Sequence, residues 1–507
     1  MKTLHKICLA AAIAFVPAAC TNDFLEVENP TAEPVEEYFT TEEHLTEALV
    51  AAYDPFEWTD WNSMGQYDPI NLVSEAMADQ LWVGGSDKTD NQFLHLMANY
   101  EATPNICLSA IWTIAYSGIK RCNDVISYIG NVEGLSEETA KSYEAQVRVL
   151  RAFYYTWLWK FWGNVPYYEE NLKSPFTAEQ TPADQVYENL MTDLQGAIDL
   201  GALPMKCSDA DAGHITKAVA YMLYAEDAMY KNDKERLPKA LSYMKEIIAS
   251  GEYSLTPDYG DIFKNEGEWN DESIFEITYK SEGAVRGWSW ANGAGGTVIP
   301  RLISPKDWGG DSDHDQGWGF FPVRTETYEM YSEGDARREA TCFDARNTGS
   351  GKYTARYQDT GYFLEKYIAY VANREGALSD ADFGFNNNIR YYRYSETLLN
   401  AAELVVEGYG DGDAESWLNA VHSRAIAGET VTLSLDNIKQ ERRLEFVGEG
   451  KRYWDLVRWG DAPTVLVPDS YGYRTNTWSE SKRYLPIPQS EIDATAGTSH
   501  PLTQNNY

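Results

Sequence analysis

The sequence lacks an uninterrupted apolar run of the roughly 18 residues that a membrane-spanning helix needs. It has only six cysteines in 507 residues, and none of them forms a CxxC pair or another metal-ligand spacing. The seven histidines are scattered and form no evident metal set. These absences exclude a helical membrane bundle, a disulfide-held scaffold and a cysteine-ligated metal site.

Basic residues are also scarce, since 42 Lys and Arg face 78 Asp and Glu, which gives a formal net charge of −36. A surface of this sign repels phosphate backbones, and no basic patch is interleaved with aromatic residues. The composition therefore excludes nucleic acid as a partner. Because the acidic residues are spread along the chain, they indicate a solvated surface and not an acidic tail.

Aromatic residues, in contrast, are abundant: 16 Trp, 35 Tyr and 17 Phe make up 13% of the chain. This is more than the core of a helical protein requires. Flat rings combine a large apolar face with a polar edge in Trp and Tyr, so the excess is available to a binding surface.

The first 19 residues have the pattern of a secretion leader. Two lysines precede a short apolar segment, and small residues lie directly before Cys20. We interpret residues 1–19 as a lipoprotein signal peptide and Cys20 as the lipidated residue; the alternative is plain secretion with an unmodified Cys20. Residues 20–40 are polar and contain proline, which suits an N-terminal tether.

Helical periodicity dominates residues 41–250 and 390–507. Within the first region, residues 214–253 predict two helices joined by a polar turn, with small residues where the helices touch. This is typical of a tetratricopeptide-like helical hairpin. The patterns predict helices over 41–53, 104–129, 137–162, 183–200, 214–230 and 237–250.

Residues 251–389 differ in composition from the helical regions. They are rich in Gly, Asp, Trp and Tyr, and their apolar residues show little helical periodicity. A strand is predicted over 273–279 (SIFEITY). A long irregular stretch in an otherwise ordered chain is usually functional. The predicted fold is therefore mostly α, a tetratricopeptide-like hairpin scaffold with a loop-rich, partly β insertion that carries the binding surface.

Four segments resemble the SusD/RagB family of outer-membrane nutrient-binding lipoproteins. They are EAQVRVLRAFYYTWLWKFWGNVPYY (144–168), IRYYRYSETLLNAAE (389–403), IKQERRLEFVGEGKRYWDLVRWG (438–460) and YLPIPQSEID (484–493). The order of the segments also agrees, and the resemblance extends over the whole chain after the leader. A further segment, LNAVHSRA (418–425), also matches; the sequence departs from the family pattern at Ser395 and at His422.

The resemblance implies a non-catalytic protein that captures oligosaccharides or polysaccharides and passes them to a TonB-dependent, SusC-like transporter. It further implies a lipid anchor in the outer membrane, with the protein facing the cell exterior. No cofactor is implied.

Two segments carry aromatic residues suited to stacking on sugar rings, beside polar residues suited to sugar hydroxyls. The first is 74–85 (SEAMADQLWVGG) and the second is 285–310 (VRGWSWANGAGGTVIPRLISPKDWGG). Exposed rings are expected there because the neighbouring glycines leave little bulk to cover them. The candidate glycan-binding residues are Asp79, Trp82, Trp288, Trp290, Asn292, Arg301 and Trp308.

Two alternative functions were weighed against glycan capture. A secreted glycoside hydrolase needs a pair of carboxyl groups, and Glu441 and Glu445 lie one helical turn apart. Nearby arginines favour a structural ion-pair network instead, because they would keep both carboxyls ionised. A tetratricopeptide scaffold that binds peptides would use its concave helical face, whereas the candidate rings lie outside the helical hairpins.

Residues 311–317 (DSDHDQG) place Asp311, Asp313 and Asp315 at the alternating spacing of a calcium loop. The glycine falls one position late, and Pro322 stands where a bidentate glutamate belongs. A structural calcium ion is a weak possibility here, and a solvated loop is the favoured interpretation.

The leader generates a first prediction. Replacing Cys20 by alanine removes the thiol that takes the lipid, so the Cys20→Ala protein should move from the detergent phase to the aqueous phase in Triton X-114 partitioning. A Cys8→Ala change inside the leader is the matched control and should leave partitioning unchanged. Identical partitioning of the native and Cys20→Ala proteins would overturn the lipoprotein interpretation.

Overall fold

A computed structural model describes residues 38–62, 65–282, 286–290, 292, 295–374 and 380–507. The leader, Cys20 and most of the predicted tether lie outside these ranges. Among the described residues, no helix combines the length and apolar composition that a membrane span requires.

Helices dominate the described part of the chain. In chain order they are α1 (Glu42–Tyr53), α2 (Gln92–Ala98), α3 (Ala110–Tyr128), α4 (Glu137–Trp162), α5 (Ala183–Asp199), α6 (Lys217–Lys231), α7 (Leu237–Ser250), α8 (Ile299–Ile303), α9 (Thr325–Glu329), α10 (Arg337–Thr341), α11 (Tyr394–Val406), α12 (Ala414–Ala425), α13 (Leu435–Glu445), α14 (Arg452–Arg458), α15 (Ala462–Val465) and α16 (Gln489–Thr495).

Strands are short and form antiparallel pairs. They are β1 (Val165–Pro166) with β2 (Gln180–Thr181), β3 (Ser273–Ile277) with β6 (Ile389–Arg393), and β4 (Cys342–Asp344) with β5 (Tyr362–Leu364). β3 and β6 lie near the two ends of the loop-rich insertion, so their pairing brings its ends together.

The longer helices pack against one another in sequence order. α3 packs against α4, α4 against α5, α5 against α6, and α6 against α7. α7 then packs against α11, and α11 packs against α12. The scaffold therefore continues from the first helical region into the second, and the insertion leaves it after α7 and returns through β6.

Small residues permit the close helix contacts that the sequence predicted. Ala225 and Ala228 in α6 and Ala240 in α7 are completely buried between the helices. α1 begins at the predicted place, because the Thr41 side chain accepts a hydrogen bond from the His44 backbone N–H. α4 and α7 have their predicted bounds.

Some predicted helices begin later than the pattern indicated, as α6 does at Lys217 instead of residue 214. α3 begins at Ala110 instead of residue 104, because the Gln66 side-chain oxygen accepts hydrogen bonds from the backbone N–H groups of Ser109 and Ala110, each at 3.0 Å. This contact from a distant segment supplies the missing cap. The segment 389–403 begins as strand β6 and becomes helical only at Tyr394, since β3 offers it a pairing partner.

A buried ion-pair network joins the second helical region to the insertion. Glu445 of α13 pairs with Arg393 of β6 at 3.0 Å and with Arg424 of α12 at 2.5 Å. Arg337 of α10 contacts Glu441 at 2.6 Å and Glu445 at 3.4 Å, through the same guanidinium nitrogen. The two carboxylates that resemble a hydrolase pair are thus held as ion-pair partners.

Electrostatics keeps Glu445 ionised. Burial alone would raise the pKa of its carboxyl, but the guanidinium groups of Arg424, Arg393 and Arg337 outweigh burial and hold that pKa below the ordinary value. A carboxyl in this state does not supply the proton that glycoside hydrolysis requires.

Replacing Glu445 by glutamine should destabilise the protein by about 3–5 kcal/mol, because it leaves buried guanidinium charge uncompensated. Urea unfolding measures the loss of unfolding free energy. Glu137→Gln makes the same chemical change in an exposed pair with Lys141 and should leave the midpoint of urea unfolding unchanged.

The same network gives a pH signature. Because the pKa of Glu445 is lower in the folded than in the unfolded state, its stabilisation is complete above the unfolded pKa of about 4.3 and is lost as pH falls below it. As the pH is lowered below 5, the free energy of unfolding of the native protein should therefore fall more steeply than that of Glu445→Gln. An equal fall in both proteins, together with equal urea midpoints, would contradict a stabilising network.

Candidate functional site

A buried ion pair fixes the loop that carries the two exposed tryptophans. The Arg286 side chain is completely buried and pairs with Asp60. It also donates to the backbone carbonyls of Trp61 at 2.8 Å and Gly296 at 3.2 Å. The second Asp60 oxygen accepts from the Thr297 hydroxyl at 2.8 Å. Both ends of the loop are therefore tied to the segment that follows α1.

Between these ties the chain makes a tight turn. Gly287 and Trp290 exchange backbone hydrogen bonds of 3.2 and 3.0 Å, and the Trp288 backbone N–H donates to Asp380 at 2.9 Å. A Cβ atom at position 287 would lie 2.4 Å from the Asp380 carboxylate, so a larger residue there would displace that side chain. The turn presents Trp288 and Trp290 at the surface.

Trp288 lies at the centre of a group of rings. Its ring centroid is 5.0 Å from Trp61, 5.7 Å from Trp318 and 4.9 Å from Phe383. Tyr67 packs against Trp61 at 4.8 Å and Trp318 at 5.5 Å. Phe383 is buried beneath, whereas Trp61, Tyr67 and Trp318 are partly exposed.

Trp288 and Trp290 are the most exposed of these rings, at 37% and 65%. We call the group of contacting rings Trp61, Tyr67, Trp288 and Trp318, together with Trp290 on the same turn as Trp288, the aromatic platform. Large apolar rings held at a protein surface mark binding sites. Their hydration is unfavourable, and a ligand that covers them removes this free-energy cost. Asn292, on the same loop, is also exposed.

Polar groups lie at the edge of the platform. Burial, together with the nearby carboxylates of Asp90 and Asp382, raises the pKa of Tyr67, so its hydroxyl remains a hydrogen-bond donor at neutral pH. Asp382 is itself fixed by the Arg301 Nε, 2.9 Å away. The edge thus offers a hydroxyl and a carboxylate beside apolar ring faces.

Arg301 is only 5% exposed, so the expectation of an accessible arginine is wrong. Its guanidinium is occupied by Asp315 at 3.1 Å, by Asp382 and by the backbone carbonyl of Gln316. The physical reason is that a buried arginine requires nearby carboxylates, and these lie within the insertion. Arg301 positions Asp382 at the platform edge.

The expectation that Trp82 is exposed is also wrong, since 5% of this residue is accessible. Its backbone N–H donates to Pro322 at 2.9 Å, and the Arg324 guanidinium covers its ring at 3.6 Å from the centroid. Asp79 pairs with Arg452 at 2.8 Å. Burial would raise the pKa of Asp79, but Arg452 lowers it to about 2. Segment 74–85 belongs to the core.

Trp308 is likewise packed, with 9% exposure. It lies in a small core within the insertion, 5.1 Å from Phe343 in an edge-to-face arrangement. The two glycines that follow Trp308 therefore did not predict its exposure. At Trp308 a neighbouring strand pair supplies the cover.

Two aspartates of the candidate calcium loop, Asp311 and Asp315, have separate protein partners. Asp311 accepts hydrogen bonds from the His314 ring and backbone, and Asp315 pairs with Arg301 and with Arg374 at 2.9 Å. In the part of the chain that the structure describes, no group of three His, Cys, Asp or Glu side chains could hold a metal ion. The geometry gives a calcium ion at this loop no support.

Sequence reasoning did not include Trp61, Tyr67 or Trp318 among the candidate residues. The stretch WTDWNSMGQY (58–67) does contain a signal, since it combines aromatic residues with Asn, Gly and Gln and has no helical or strand period. Its proximity to Trp288 depends on the Asp60–Arg286 pair, which joins segments more than 200 residues apart.

Known proteins resemble this chain over most of its length. The model of the SusD family matches residues 343–507, and a model described as starch-binding associating with outer membrane matches residues 23–226. A surface glycan-binding protein A from Bacteroides thetaiotaomicron, solved in complex with laminarihexaose, is 55% identical. The alignment covers 92% of this chain and all of that one, with a TM-score of 0.89.

The chain belongs to the SusD family. A surface glycan-binding protein A from Bacteroides uniformis is 48% identical with a TM-score of 0.83, over 92% of this chain and all of that one. A laminarin-binding SusD-like protein is 27% identical with a TM-score of 0.82, over 92% of this chain and 99% of that one. These SusD-like structures confirm the predicted mostly α fold. The relatives are named for binding and not for catalysis, which confirms the prediction of a non-enzymatic protein.

Proposed function

We propose that this SusD-family protein captures laminarin-type glucan at the cell surface, with the aromatic platform as its binding site. One observation carries the proposal: Trp288 and Trp290 are exposed on a turn that a buried ion pair holds in place. A protein with 55% identity over 92% of this chain was solved with laminarihexaose, which supports the choice of glycan.

The platform has the chemistry that a neutral sugar requires. The C–H face of a pyranose ring is apolar and can lie flat on an indole ring, while its hydroxyls need hydrogen-bond partners. Trp288 and Trp290 supply the rings. The Tyr67 hydroxyl donates, and the Asp382 carboxylate accepts. Because the turn is already fixed, little conformational entropy is lost when glycan binds.

The two alternative functions have less support. Glu441 and Glu445 share one guanidinium group and are buried, so they offer no carboxyl pair to a glycosidic bond. Peptide capture by the helical hairpins would leave the exposed rings of the platform without a role. Capture without catalysis accounts for the platform and for the buried carboxylates together.

The leader and the family suggest where capture takes place. We infer that Cys20 carries the lipid and that residues 20–40 tether the body to the outer membrane, facing the cell exterior. The family model that matches residues 23–226 is described as associating with the outer membrane, which supports this location. A TonB-dependent, SusC-like transporter is the proposed recipient of the captured glycan.

Replacing Trp290 or Trp288 by alanine should weaken laminarihexaose binding about thirtyfold, since loss of a stacking ring costs about 2 kcal/mol. Isothermal titration calorimetry measures the affinity. The melting temperature of Trp290→Ala should remain native, because its ring is mostly exposed.

Two controls separate binding from folding. Phe176→Ala removes another exposed ring, 71% accessible and outside the platform, and should change neither quantity. Trp308→Ala should lower stability by about 3–5 kcal/mol while the folded fraction keeps its affinity. Native affinity in both Trp288→Ala and Trp290→Ala would overturn the platform as the site.

The transporter proposal predicts a complex. Purification of the lipidated protein in mild detergent should recover a larger outer-membrane protein together with it. The Cys20→Ala protein, mixed with the same membranes, should recover that partner less efficiently because it is no longer held at the membrane. Recovery of the lipidated protein alone, from native membranes, would contradict the complex.

A further inference from the structure

A second concave surface lies beside the aromatic platform. It is a groove of about 520 Å³ between the turn at 65–66, the start of α2, the loop before α3 and the start of α16. We call it the amide groove, after the side chains that line it: Gln66, Asn91, Gln92, Asn105 and Gln489. Ser109 and Ser490 add hydroxyls.

The amide groove is uncharged in a strongly charged protein. Charged residues make up 24% of the chain, so thirteen lining residues would include about three at the average frequency; these thirteen include none. Amides and hydroxyls both donate and accept hydrogen bonds, as sugar hydroxyls do. An anionic ligand would find no lysine or arginine among the lining residues, and a cationic ligand would find no carboxylate.

Several of these amides have no protein partner. The buried Asn91 Nδ2 makes no hydrogen bond within the described residues. The side chains of Gln92 and Asn105 are exposed and make none with the described part of the chain. The Gln92 and Asn105 amides are therefore free to bond to a ligand in the groove.

Other contacts hold the groove open. The Gln66 side chain donates to the Cys107 carbonyl at 2.9 Å and accepts from the N–H groups of Ser109 and Ala110. This fixes the turn at 65–66 against the loop before α3. The groove is thus a rigid feature of the fold, and binding there requires little ordering.

The groove and the platform meet at neighbouring residues of the chain. Gln66 precedes Tyr67 of the platform, and the Asn62 amide closes their shared turn by donating to the Gln66 carbonyl at 3.2 Å. On the other wall, Asn91 follows Asp90, whose carboxylate lies close enough to Tyr67 to act on it. Tyr67 therefore stands where the two surfaces meet.

From these observations we infer that the amide groove is an extension of the glycan site, which takes the sugar units of a neutral glycan chain that continue past the platform. The inference rests on the proposed function of the platform. It predicts selectivity for chain length: short oligosaccharides occupy the platform alone, and longer ones gain hydrogen bonds in the groove.

The test compares laminaritriose, laminarihexaose and polymeric laminarin by calorimetry. A Gln92→Ala, Asn105→Ala double variant should bind laminarihexaose and laminarin about tenfold more weakly than the native protein, as expected for two lost hydrogen bonds. Its affinity for laminaritriose should be native. The Trp290→Ala variant, in contrast, should lose affinity for all three ligands.

A matched control is Gln185→Ala with Asn189→Ala, which removes two amides that bond to each other on α5, outside the groove. It should bind all three glycans like the native protein. Unchanged laminarihexaose and laminarin affinity in the groove variant, with its native melting temperature, would overturn the inference and leave the platform in place. Absence of glucan binding by the native protein would overturn the proposed function and the groove with it.

Discussion

The fold depends on complete pairing of buried charge around Glu445 and Arg393. An isolated buried ion is strongly destabilising, so every member must have its partner in place. Here the partners come from separate elements: Arg424 from α12, Arg337 from α10, Arg393 from β6, and Lys366 from the insertion through Glu449. The network can form only when the insertion is docked on the helices. It therefore couples the loop-rich region to the scaffold more specifically than apolar packing alone.

Pairing of buried charge between distant segments also positions the aromatic platform. The buried Asp60–Arg286 pair joins the segment after α1 to the turn that carries Trp288 and Trp290. Exposed indole rings on a flexible loop would collapse onto the nearest apolar surface or lose affinity through ordering. Anchoring by a buried pair allows them to remain accessible and fixed. The buried Asp60–Arg286 pair thus keeps the apolar tryptophan rings exposed at the surface.

The distribution of charge also matters to the ligand. The chain carries a net charge of −36, yet the amide groove has no charged lining residue, and Arg301 neutralises Asp382 at the platform edge. A neutral glycan does not have to displace counterions or separate charge as it binds. The acidic remainder of the surface keeps the protein soluble and repels anionic polymers.

Local patterns in the sequence were enough to predict the helical scaffold, the irregular insertion and strand β3, because amphipathic periodicity and small contact residues act within one or two helical turns. The family motifs were equally local. Exposure of individual tryptophans was not predictable: Trp82 and Trp308 are covered by Arg324 and Phe343, which lie far from them in sequence or on a separate strand. Trp61 and Tyr67 reach Trp288 only through the Asp60–Arg286 pair. The residue types available for binding were thus determined by the sequence. Which rings face solvent was decided by tertiary contacts, because burial of a side chain depends on what the folded chain places over it.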